Sequence, residues 1–175
     1  MSATPSNAPQ TDVVQTFADM SAALTGFLSS VLKPALDPVG LAQTYYSFAV
    51  QQAGAPAMAA LLGAYSAISK QPPQTIANTL LEVTSPNPSG QAQLAQSIVA
   101  MWYLGAWYTP GLKGSNGFAP NPVQVVSSEA YTNGLVWKIM QSHPMGFSPF
   151  TFGYWSQPPG SLSTFGVNTG NGGGQ

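Results

Sequence analysis

Arginine and cysteine are absent from the 175 residues, and acids and bases together make up 5% of the chain, against about 25% in ordinary soluble domains. Without cysteine there is no disulfide, no thiolate metal ligand and no thiol nucleophile, while the redox compartment stays open. With only Lys33, Lys70, Lys113 and Lys138 as bases and a net charge of −1, the basic stripe that neutralises a row of phosphates is missing, which argues strongly against a nucleic-acid binder. No apolar run reaches the roughly 18 to 20 residues that cross a bilayer, because Gly, Pro, Ser or Gln interrupts each one. The amino-terminal stretch MSATPSNAPQ is polar and proline-rich and lacks the pattern of a secretory signal.

What is present is apolar: 44% of residues are hydrophobic and 11% aromatic, a composition that folds instead of staying disordered. The length suits one core and one domain. So little charge with so many rings favours association unless a partner covers them.

Periodicity predicts an all-α domain of about five to six helices with a long irregular, aromatic- and proline-rich carboxy-terminal segment. Residues 1–10 read as a disordered lead. Thr11 or Asp12 can then cap a helix in which Val13, Val14, Phe17, Met20, Ala23 and Leu24 recur at spacings of three and four, ending near Gly26. Phe27, Leu28, Val31 and Leu32 continue to a bend at Pro34. Asp37 before Pro38 reads as the cap of a helix with Leu41, Tyr45 and Phe48 on one face, closed by Gly54 and Pro56. A helix over Ala57–Ile68 is stopped by Pro72-Pro73, and another runs from about Thr75 to Val83. After the loop TSPNPSG, Leu94, Ile98, Met101 and Trp102 form a core stripe on a helix that ends before Pro110. The segment TPGLKGSNGFAPNP is loop, VQVV reads as extended, and Ser127 or Ser128 caps a last helix carrying Tyr131, Leu135, Val136 and Ile139. The single domain spans 11–160, including an arm beyond Met140, and 161–175 reads as a flexible Gly-rich tail.

The titratable stock is Asp12, Asp19, Asp37, Glu82, Glu129, His143 and four lysines, too few to converge readily on acid–base chemistry. The aspartates and Glu129 fit caps and helix starts. One histidine without a GxSxG turn does not make a serine hydrolase. One histidine without cysteine does not build the usual metal cage, and the terminal GNGGGQ lacks the strand–turn–helix setting of a nucleotide-binding loop. No catalytic, cofactor-binding or metal residue is therefore assigned. Aromatics with a polar N–H or O–H dominate protein interfaces. In the run MWYLGAWY, Trp102 is expected inward, with Trp107 and Tyr108 outward. SHPMGFSPFTFGYW gathers the lone histidine with five rings. The candidate partner-binding residues are Trp107, Tyr108, Trp137, His143, Pro144, Met145, Phe147, Phe150, Phe152, Tyr154 and Trp155.

The order FADMSAALTG, AMWYLGAWY and SSEAYTNGLVWKIMQSHPMGFSPFTFGYWSQPP resembles the small, or gamma, subunit of bacterial membrane-bound FAD-dependent sugar and polyol dehydrogenase complexes, the sorbitol dehydrogenase small-subunit family. The similarity spans roughly Val13–Tyr46 and Gln93–Pro159. It implies a chain without chemistry of its own that binds a flavoprotein of the glucose–methanol–choline type. FAD, an iron–sulfur cluster and haem c would then lie in partner subunits, the last in a multihaem cytochrome c. It further implies an escort with a twin-arginine signal, removed here, and a periplasmic location at the cytoplasmic membrane without a membrane span. Some relatives carry a cysteine where this chain reads SHPMG, so no disulfide to the partner arises. Two competing readings are a self-associating structural protein and an enzyme using His143 with Glu129.

Overall fold

The computed structural model describes residues 8–110, 123–148, 153, 156–158 and 161–167, with side chains described from residue 13 onward. Helix α1 (Ala8–Thr25) is followed by the single turn α2 (Ser29–Leu32), α3 (Leu41–Ala53), α4 (Ala55–Ile68), α5 (Pro73–Leu81) and α6 (Gly90–Leu104). Strands β1 (Ala106–Trp107) and β2 (Gln124–Val125), the short helices α7 (Ser128–Thr132) and α8 (Leu135–Ile139), and a 3-10 turn over Leu162–Phe165 complete the described chain. It is mostly helical, with a minor two-stranded antiparallel sheet in the register Ala106↔Val125, Trp107↔Gln124.

Val14, Phe17, Ala18, Ser21, Leu24 and Thr25 of α1 are all buried. Their spacing of three and four puts them on one face, and α1 packs with it against α3, α4, α5 and α6. Trp102 of α6 fills the centre, its ring stacked at 6.3 Å on Phe17 and edge-on at 4.6 Å to Tyr45 of α3. Each such pair adds about 0.5–1.5 kcal/mol beyond the area it buries.

Several boundaries differ from the sequence reading. Helix α1 begins at Ala8, so the end of the expected lead is helical. Asp37 does not cap α3: the cap is Gly40, and the Asp37 carboxylate instead accepts its N–H at 2.7 Å, fixing the turn that delivers the helix. Pro73 opens α5 at the position where a missing N–H costs nothing, so that helix starts before Thr75. The single last helix is two, broken at Asn133-Gly134. There the backbone presses on the end of α6, such that a methyl on Gly134 would meet the Tyr103 carbonyl oxygen at 2.7 Å. The Tyr131 carbonyl accepts from Gly134 N–H at 3.2 Å and from Trp137 Nε1 at 2.8 Å, which ties the two short helices together across the break.

The expected tail also differs over its first part. Leu28 N–H donates to the Gly166 carbonyl at 3.1 Å, and Val167 pairs antiparallel with Phe27. Ser161–Val167 thus lies as a strap across the turn between α1 and α2.

Candidate functional site

Trp107 does not face outward. β1 ties it to β2, and the ring, 2% exposed, packs edge-on to Phe48 at 6.2 Å. Past Gly105 the chain leaves α6 as a strand, and its pairing with β2 holds Trp107 in the core where the outward position was expected. Tyr108 is half-buried. Trp137 is half-buried too, held edge-on by Tyr131 at 5.5 Å and by its own indole hydrogen bond.

Beyond α8 the backbone turns sharply, with Ser142 N–H donating to the Trp137 carbonyl and Phe147 N–H to the Pro144 carbonyl, both at 2.9 Å. Pro144 is buried and anchors the turn. His143 is half-buried, and its Nδ1 lies 3.0 Å from the Pro144 carbonyl. A carbonyl only accepts, so this nitrogen carries the proton. On either side of that anchor Ile139, Met140, Met145 and Phe147 stand in solvent, Met145 83% and Phe147 56% exposed. Phe150, Phe152, Tyr154 and Trp155 lie outside the described residues.

The carboxylates are occupied by structure. Asp19 accepts from Ser29 Oγ at 2.5 Å and Gln15 Nε2 at 2.9 Å. Glu82 accepts from the Ser89 hydroxyl and backbone, which hold it below its usual range. Glu129, at the start of α7, is lowered by its own backbone N–H and then by Ser128 and Ser127. Burial pushes the Tyr45 phenol well above its ordinary range. Among the described residues no three His, Asp or Glu side chains gather as a metal site.

One hollow lies at the exposed turn and another lies on a different face. The first, of ≈ 160 Å³, lies between Trp137, Lys138, His143 and Phe165. A wider open groove of ≈ 730 Å³ runs between the ends of α1 and α4 and the face of α5, edged by exposed Leu28 and Val83. In the groove the Tyr65 phenol is raised by burial and then by the Asp19 charge. No sequence pattern marks this groove, because its walls come from separate helices.

Comparison of the chain with models of known protein families, with curated proteins and with solved structures finds no match in any of the three.

Proposed function

We propose that the chain is a non-catalytic small subunit. It binds, stabilises and escorts to the periplasm the FAD-containing catalytic subunit of a sugar or polyol dehydrogenase of sorbitol, fructose or glucose type, linked to a multihaem cytochrome c subunit. The carrying observation is the turn after α8, which leaves Met140, Met145 and Phe147 each more than half exposed within nine residues of Ile139. Fully burying a side chain of this kind contributes about 1.5–3 kcal/mol, a gain that a partner surface supplies. The same turn lies inside the late block that resembles the dehydrogenase small subunit, which is what names the partner. FAD, iron–sulfur cluster and haem c belong to the partner chains in this reading. Attachment to the membrane runs through the complex: among the described residues no helix is long and apolar enough to cross a bilayer.

Co-expression with a flavoprotein dehydrogenase of the glucose–methanol–choline type tests the reading. The two chains should co-purify, and Met145→Asp with Phe147→Asp should reduce recovery of the complex at least about tenfold with the helical circular dichroism unchanged. Recovery equal to that of the unaltered chain would show that this turn is not the docking surface. Failure of any such flavoprotein to co-purify would remove the function.

A further inference from the structure

We infer that Lys138 is the receiving charge of the docking turn: a carboxylate side chain of the partner protein, carried between apolar residues, seats on its ammonium in the hollow lined by Trp137, His143 and Pro144. The inference rests on the reading of this chain as a docking subunit, and it deepens that reading by giving the partner's contact an acidic–apolar chemistry.

Lys138 lies on α8 and is half-buried. It lines the ≈ 160 Å³ hollow with Trp137, His143, Pro144 and Phe165. On its other side it borders a second hollow of ≈ 190 Å³, walled by Leu41, Trp102 and Leu135. Volumes of this size fall below the roughly 300–1,000 Å³ of small-molecule pockets and suit single side chains. No carboxylate lines the first hollow among the described residues. Asp37 borders the second, but its carboxylate is engaged by Gly40 N–H.

The remaining acids are placed elsewhere: Asp19 at Ser29, Glu82 at Ser89 and Glu129 on α7. Asp12 belongs to the first turns of α1, and the segments outside the described residues contain no aspartate or glutamate. Burial alone lowers the Lys138 pKa, with no carboxylate contributing. The ammonium is therefore partly dehydrated with no carboxylate lining the first hollow among the described residues, and an incoming carboxylate replaces lost hydration while Met140, Met145 and Phe147 stand exposed on the same stretch of chain. An uncharged apolar segment would bury the ammonium further with nothing to offset it.

The test needs no dehydrogenase. The lysines are dimethylated with 13C-formaldehyde, which keeps their charge, and the Lys138 signal is assigned from the Lys138→Arg variant. The probes are the acetylated, amidated tripeptide Phe-Glu-Phe, its Phe-Gln-Phe counterpart, and sodium acetate. The glutamate peptide should shift the Lys138 signal and leave those of Lys33 and Lys70 in place, with the glutamine peptide binding on the order of tenfold more weakly.

In the unmethylated protein, fluorescence titration should show the same preference kept by Lys138→Arg and lost in Lys138→Gln. Equal binding of the two peptides overturns the proposal. An equal response to acetate alone overturns it in favour of a small-anion site. If no flavoprotein complex forms while the glutamate preference holds, only the dehydrogenase reading falls. If the complex forms without that preference, only the role of Lys138 falls.

Discussion

Ser21 sits on the inward face of α1 with its hydroxyl buried and without a hydrogen-bond partner among the described residues, as does the indole nitrogen of Trp102. A buried polar group left unpaired costs about 1–3 kcal/mol, and alanine is the better helix former. Ser21→Ala is therefore expected to stabilise the protein by about 1 kcal/mol, seen as a higher urea midpoint at unchanged slope. A lower midpoint would show that the hydroxyl is satisfied in solution. Trp102 offers no such gain, since trimming its ring opens a cavity among Phe17 and Tyr45. The two tryptophans also show what a helical stripe can tell. Trp102 was legible as core because it shares the α6 face with Leu94 and Ile98. Trp107 was not, because its burial depends on a pairing with Gln124 seventeen residues later.

Between elements, contacts made by backbone and glycine were the least legible. The 3-10 strap meets α2 where a methyl on Gly166 would collide with the Val31 side chain, at a φ of 79° that disfavours any other residue. Composition marked this stretch as tail, since neither glycine nor serine announces a close approach. Gly166→Ala should cost about 2 kcal/mol or more, combining the left-handed backbone with the clash. Adding Val31→Ala should recover part of that loss, a positive coupling in a double-mutant cycle. Strict additivity would place the strap away from α2 in solution.

A second tie joins α5 to α6. Glu82 accepts from Ser89 N–H at 2.8 Å and from its hydroxyl at 2.7 Å, while that hydroxyl accepts from Ala92 N–H at 3.2 Å as the α6 cap. The loop SPNPSG was readable as loop. The clasp across it was not, because it depends on the path of the loop back to Glu82. The Glu82 pKa is depressed in the folded chain, so its contribution is present above the ordinary carboxylate range and lost as pH falls below it. Glu82→Gln should flatten the acid limb of a stability–pH curve. Glu129, shifted in the same direction, preserves a remainder. An unchanged acid limb in the variant would remove the clasp from the balance.

For the molecule as a whole, four bases and five acids leave little mutual repulsion to oppose contact between exposed apolar side chains. Leu36 and Val83 stand out in the first half and Met140, Met145 and Phe147 in the second. The isolated chain should therefore self-associate in sedimentation velocity, and the driving force fixes how it responds to salt. Charge-driven association weakens as the screening length shrinks from ~10 Å at 0.1 M salt to ~3 Å at 1 M. Apolar association hardly responds to sodium chloride over that range and strengthens in sulfate, which is excluded from protein surfaces. The expected pattern is the second one. Met145→Lys with Phe147→Lys should shift the distribution towards monomer without altering the helical spectrum, because both side chains already face water. A chain that stays monomeric at high concentration in sulfate would mean that the exposed turn is too small a surface to hold anything. In that case the docking function would have to rest on another face.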